Sequence, residues 1–195
     1  MRKLGITMAA ISMVAFTYAQ TSNWGFDQSH SNVRFAVSHM VISEVEGNFG
    51  SYEGSVTTTK SDFSDASVNF TINVSSIDTD DEKRDEHLRG TDFFNVEKNP
   101  SITFQSTSIK KVSENKYKVT GNFTMLGVTK EITLDAKYGG TINDPWGNTK
   151  AGIKVTGTIN RTDWGLKYNS KLDTGGLMIG EDVDIVCNFE LIKLQ

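Results

Sequence analysis

The sequence predicts an all-β domain whose antiparallel strands bury their apolar faces against one another, as a barrel or a sandwich. Three observations predict it. Apolar residues return at every second position from Val33 almost to the C-terminus. The runs are short and separated by polar turns, and only one segment reads as a helix. Side chains on a strand alternate between faces, so each run has one apolar and one solvated face. With scarcely any helix to cover them, the apolar faces must meet each other.

The elements follow in order. Trp24–Asp27 reads as a short first strand, Gln28–Asn32 as a turn and Val33–Val41 as the second strand. Gly47–Thr59 is a strand with a flaw: Phe49 sits on one parity, Tyr52, Gly54 and Val56 on the other, and a bulge or bend near Gly50 would reconcile them. Ala66–Ile77 alternates cleanly. Thr79 to Glu82 has the spacing of a capping box, Asp81–Arg89 is nearly all charged, and Gly90 is placed to end a helix in the left-handed conformation. Such a helix cannot form a core. It is expected across an edge or a barrel mouth, with Leu88 and then Phe93 and Phe94 turned inward. Further strands are Ile102–Ile109 after Pro100, Tyr117–Met125, Val128–Gly139, Ala151–Arg161 and Glu181–Lys193. Gly139-Gly140 and Gly175-Gly176 read as turns. Most connections are short, so successive strands should pair as an antiparallel meander. About eight strands closed as a barrel would leave room for a packed interior or one elongated ligand.

The inward parity collects Phe35, Val37, Phe70, Ile72, Val74, Phe104, Phe123, Leu134, Ile153, Val155, Ile159, Ile185 and Phe189. Ser106 and Gly157 fall on the same faces and would leave space. Periodicity alone leaves a solid core and a cavity equally open.

The ends and the composition bound the function. Arg2 and Lys3 precede an apolar stretch from Leu4 to Phe16, and Thr17-Tyr18-Ala19 puts small residues before a cut after Ala19. This is the layout of a secretory signal peptide over residues 1–19, with a mature domain over 20–195 exported to the periplasm or secreted. No other run approaches the ~20 apolar residues of a membrane helix, so no stable membrane insertion is expected. The segment carries two basic and no acidic residues, so its removal makes the formal net charge of −4 more negative by two. An acidic chain without a long basic run argues against nucleic acid as a partner. The lone Cys187 shares parity with Ile185 and Phe189 and reads as a small buried hydrophobe rather than a reactive thiol.

Candidate chemistry is sparse. His30, His39 and His87 lack the spacing or companions of a metal motif, so neither metal nor cofactor is expected. No Gly-x-Ser-x-Gly elbow is present, and Asp80-Asp81-Glu82 and Glu181-Asp182 read as solvated charge runs.

Ordered motifs then resemble the YceI-like family across nearly all of the mature length. They begin with Asp27-Gln28-Ser29-His30-Ser31-Asn32-Val33-Arg34-Phe35 and His39, followed by Ser75-Ser76-Ile77-Asp78-Thr79. Arg84-Asp85-Glu86-His87-Leu88, Asp92-Phe93-Phe94 and Asn99-Pro100-Ser101-Ile102-Thr103-Phe104 come next. The remainder are Gly121–Lys130, Asn160-Arg161-Thr162-Asp163-Trp164-Gly165-Leu166 and Ile179–Val183. The resemblance implies an eight-stranded lipocalin-like barrel with an apolar pore that binds an amphiphile, polyisoprenoid lipids being the associated class. Trp164 stands where a phenylalanine is more usual, which bears on pore width. The resemblance carries over no shared catalytic set.

The expected function is therefore an exported, non-enzymatic binding protein that holds a polyisoprenoid, a quinone or a fatty-acid derivative for transport, storage or sequestration. An enzyme acting on an amphiphile and a solid-core interaction domain are the alternatives. A polar head group would want cationic or donor-bearing partners, and His30, His39, Arg84, His87 and Arg161 are the candidates. The alternative for Arg84, His87 and Arg161 is that they pair with local carboxylates such as Asp85 or Asp163. A homodimer, if formed, would use an exposed edge or an aromatic patch near Trp146.

Overall fold

The computed structural model describes residues 20–173 and 175–194. The proposed signal segment, 1–19, lies outside them. The described residues form eleven strands: β1 (Ser22–Phe26), β2 (Asn32–His39), β3 (Ser43–Phe49), β4 (Tyr52–Thr58), β5 (Ser67–Asn73), β6 (Ile77–Asp78), β7 (Ser101–Ser113), β8 (Lys116–Met125), β9 (Val128–Asn143), β10 (Thr149–Asn160) and β11 (Ile179–Lys193). One α-helix, α1 (Glu82–Arg89), lies between β6 and β7 among the described residues, and none is long and apolar enough to cross a membrane.

The eleven strands occupy eight positions around a closed antiparallel barrel. β1 and β2 lie end to end along the same edge of β11, with Trp24 opposite Lys193 and Phe35 opposite Ile185. Their neighbours are broken at matching heights: β3 pairs with β2 and β4 with β1, while β6 pairs with β3 and β5 with β4. From β7 to β11 the strands are continuous and form a plain meander.

The breaks revise the expected elements. The flaw in Gly47–Thr59 is an interruption at Gly50-Ser51, which shifts the parity so that Phe49 and Tyr52 are both buried. There Gly50 N–H donates to Ser76 O at 3.1 Å and Ser51 N–H to Ser76 Oγ at 3.0 Å. Ala66–Ile77 is not one strand. The Asn73 side chain accepts from Ser75 N–H and starts a single 3-10 turn, Val74–Ser76. The second strand stops at His39, because Met40 and Val41 both have positive φ.

Four local expectations are corrected. Asp81, not Thr79, caps α1, accepting from Arg84 N–H at 3.0 Å, and Gly90 leaves the helix at φ −71 rather than left-handed. Gly139-Gly140 is no turn: it lies within β9, beside a register shift at Gly152/Ile153. The space expected at Gly157 is filled by Leu134, whose Cδ2 occupies the site a Cβ would take. Small residues face large ones elsewhere too: Phe35 lies opposite Gly47 and Phe70 opposite Gly54. At Gly121 a Cβ would stand 2.5 Å from Gln105 O, so β7 and β8 approach there only because the side chain is missing.

Outside the barrel one ionic group ties β1, β10 and β11 together. The Lys150 ammonium lies 2.9 Å from Asp27 Oδ2 and 2.6 Å from Glu190 Oε1, with Asp144 at 3.9 Å. The His30 ring lies 3.0 Å from the same Asp27 oxygen. Lys150 holds the Asp27 carboxyl far below its ordinary value, and Glu190 and Asp27 raise the Lys150 ammonium above its own. A depressed carboxylate stabilises the fold above its unfolded value of 3.8 and loses that contribution as the pH falls through its folded value. A raised ammonium contributes fully below 10.5 and loses its contribution as the pH rises through its folded value. The group is therefore complete across neutral pH. Lys150→Met, which keeps the aliphatic stem, should lower the thermal midpoint at pH 7. The gap to wild type should narrow below about pH 4, as the unfolded chain binds a proton at Asp27 that the folded, Lys150-paired carboxylate does not. Equal midpoints at pH 7 would contradict this reading.

Candidate ligand-binding site

The barrel interior encloses a cavity of about 450 Å³, within the range of small-molecule pockets. Twelve of the thirteen side chains assigned to the inward parity line it: Phe35, Val37, Phe70, Ile72, Phe104, Phe123, Leu134, Ile153, Val155, Ile159, Ile185 and Phe189. Val74 does not. The 3-10 turn takes it out of the strand parity, and it packs in the core at 1% exposure.

Burial distinguishes this interior from a solid core. Phe35, Phe70, Phe104, Val155, Ile185 and Phe189 point inward yet are only partly buried. A close-packed interior would leave inward apolar side chains no accessible surface. They keep it because they face space. Edge-on packing of Phe26 against Phe70 and Phe189, at 5.0 and 4.9 Å between centroids, braces the rings around that space.

One end of the cavity is a floor. Phe63, at 6% exposure, folds beneath the barrel against Trp24 and Tyr138, 5.1 and 5.5 Å between centroids. Its loop is fixed by Tyr117 Oη, which donates to Asp62 O at 2.7 Å, and by Asp65, which accepts from the hydroxyls of Thr58 and Thr59. Those bonds hold the Asp65 carboxyl below its ordinary value.

The other end is a polar mouth. Helix α1 lies across it, as its charge pattern predicts, and Leu88, Phe93 and Phe94 face the cavity. The exposed Arg84 and His87 contribute to the same wall. Arg84 donates through Nε to Thr79 Oγ1 at 2.8 Å and through Nη2 to Thr79 O at 2.5 Å, while Thr79 Oγ1 donates to the buried Asp85 at 2.6 Å. The His87 ring meets Asp92 at 3.1 Å and stacks edge-on against Phe93 and Tyr168. Arg161 follows β10 in a 3-10 turn and is 4% exposed. Its guanidinium donates to Gly180 O at 2.7 Å and Leu166 O at 2.5 Å, with Ile179 O at 3.4 Å. Burial pulls its pKa below the ordinary value, opposed by the charge of Glu181.

Pairing with a local carboxylate thus holds for His87, which meets Asp92, and not for the two arginines. Arg84 bonds to Thr79, Arg161 to backbone carbonyls, and Asp163 to Lys130 at 2.9 Å. Arg84, His87, Arg161 and His39 do come together at the mouth. His30 does not: it sits outside the barrel in the Lys150 group. Asp27, His30 and Glu190 bring ligand atoms within 4.8 Å of one another, but the Lys150 ammonium already supplies the positive charge among them.

Three further expectations are placed. Cys187 is buried on the lining, and burial pushes its thiol up to about 12, so it stays protonated at neutral pH. Trp164 does not line the cavity. It is 2% exposed, donates to Phe123 O at 3.2 Å and wedges beneath its 3-10 turn, so its size does not set the bore. Trp146 is 82% exposed in the β9–β10 loop, at the floor end.

Fold and cavity together define an up-and-down β-barrel with an apolar interior open at one polar mouth, the architecture of a lipocalin-like binding protein. The chain belongs to the YceI-like family, whose domain model matches residues 24–191. UPF0312 proteins of Staphylococcus aureus are 39% identical over 170 residues, covering 87% of this chain and 96% of theirs. Among solved structures, the Campylobacter jejuni YceI protein is 29% identical with a TM-score of 0.67, covering 81% of this chain and 90% of that one. Burkholderia cenocepacia BcnA shares the fold at 23% identity and a TM-score of 0.74, over 85% of this chain and 98% of that one. A polyisoprenoid binding domain from Saccharophagus degradans shares it at 14% identity and a TM-score of 0.67, over 88% and 98%.

Proposed function

We propose that this protein binds, rather than transforms, one long apolar amphiphile inside the barrel, for transport, storage or sequestration. The carrying observation is the ring of inward, only partly buried aliphatic and aromatic side chains around a cavity open at the mouth. Affinity would come from removing the ligand's apolar chain from water, at ~25 cal/mol per Å². The fold likeness to a polyisoprenoid binding domain supports a polyisoprenoid as the ligand class, with quinones and fatty-acid derivatives fitting the same lining. The head group would sit at the mouth beside Arg84, His87, Arg161 and His39. Binding is favoured over catalysis because Cys187, the thiol on the lining, is held protonated and unreactive.

The test is uptake of a fluorescent polyprenol from a dispersed stock. Wild type should take up about one probe per chain, and Val155→Trp, which fills the middle of the cavity, should reduce uptake at least tenfold, about 1.4 kcal/mol or more. Equal uptake by a folded Val155→Trp protein would place the ligand elsewhere.

The reading includes export to the periplasm or the cell exterior, supported by the Arg2-Lys3 start and the Thr17-Tyr18-Ala19 end of the leading segment. Mature protein recovered from its native host should begin at Gln20 by N-terminal sequencing. A chain still carrying Met1 would contradict export by cleavage.

A further inference from the structure

The β2–β3 hairpin breaks two rules of surface chemistry at one place. Its tip is Met40-Val41-Ile42, at 41%, 70% and 87% exposure. Three consecutive aliphatic side chains in water are unfavourable, and the barrel needs none of them for its core. The tip also violates turn chemistry. Ile42 N–H donates to His39 O at 3.3 Å, closing a tight turn whose two central residues, Met40 and Val41, have φ of 51 and 66. That conformation favours Asn and Gly, and a β-branched valine in it is strained. Asn-Gly would make the same turn with less strain and a polar surface. Such local conflicts collect at functional positions.

The place is the cavity mouth. Met40 N–H donates to Met178 O at 2.8 Å, and both Met178 and the adjoining His39 line the cavity. Val41 also reaches toward Gly176 of the facing loop, where an added Cβ would stand 3.3 Å from Val41 Cγ2. The aliphatic tip is thus continuous with the rim through which an interior ligand passes. The exposed charges on this hairpin and on the loop facing it, Glu44, Glu46, Lys171 and Asp173, are of both signs.

We propose that Met40-Val41-Ile42 is a membrane-docking tip, which seats the mouth on a lipid bilayer so that an amphiphile moves between bilayer and barrel without crossing water. The proposal rests on the lipid-binding reading above. The partner is a bilayer because the ligand class resides there, and because an aliphatic tip next to the opening enters the headgroup boundary as interfacial anchors do. With no single-signed charge at the rim, docking needs no anionic lipid and depends little on salt.

The test uses purified protein, zwitterionic phosphatidylcholine vesicles and an NBD-labelled geranylgeraniol probe. In the variant Met40→Asn/Val41→Gly/Ile42→Ser the residues suit the turn, and none of the three lines the cavity, so it should fold and take up dispersed probe like wild type. Wild type should float with the vesicles and withdraw probe from them, with little change on adding salt. The variant should lose flotation, and its withdrawal rate should fall at least about tenfold. Equal withdrawal by variant and wild type, with normal uptake of dispersed probe, overturns the docking proposal alone. A wild-type dimer that the variant dissolves also overturns it, because the tip is then a contact between copies. Failure of wild type to take up dispersed probe overturns the lipid-binding reading itself.

Discussion

Everything in this molecule rests on how the backbone ladder closes. β11 is bonded along one edge to β10 over eleven residues, from Asn160 opposite Asp182 to Lys150 opposite Ile192. Its other edge is divided between β2 and β1. Through β1, β4 and β5 the ladder closes on itself and leaves no free edge, so backbone polar groups are satisfied within the wall; on the mouth side the sheet ends at the short β6, paired with β3 at Asn48 and Phe49. The stability of such a wall does not require a filled centre. The interior side chains are braced by their neighbours around the circumference, as Phe70, Phe104 and Phe123 are across β5, β7 and β8. A helical bundle of this size could not keep an open centre so cheaply, because its elements hold together only through the side chains that fill it. The Lys150 group reinforces closure from outside, bonding Asp27 just beyond β1 to Glu190 of β11.

The wall and its lining were legible because a strand's period is two residues and needs no distant information. Phe35 and Val37, or Ile153 and Val155, announce their face from sequence spacing alone. The interruptions were less legible. Val68, Phe70, Ile72 and Val74 keep perfect alternation, yet the Asn73 side chain captures Ser75 N–H and ends the strand. Asn followed by Val-Ser-Ser was the available signal, and the stronger apolar rhythm masked it. Whether Gly157 leaves a gap depends on Leu134 of another strand, which no local pattern reports.

At the mouth the sequence located four of the five polar residues it singled out, all but His30, and none of their bonds. Arg161 sits at inward parity as its spacing indicates, but its partners are three carbonyls from a loop and a strand that follow it. Arg161 therefore shapes the rim: it fixes Leu166 and Gly180 relative to the end of β10. Carbonyl dipoles satisfy its hydrogen bonds without a carboxylate on the guanidinium, so its charge is held buried behind the rim, beside an almost wholly apolar interior. Met40-Val41 was hidden for the opposite reason. Two apolar residues prolong the apparent strand, and only the backbone conformation shows that they form its turn.

The central claim is that the interior is an occupied binding site rather than a packing defect. Protein recovered from its native host without detergent should be extracted with organic solvent and the extract examined by mass spectrometry, beside the intact complex under native conditions. The account predicts one reproducible lipid-like molecule per chain, lost when the protein is denatured. An empty extract and an intact mass equal to the bare chain, from preparations whose fold is verified, would contradict it.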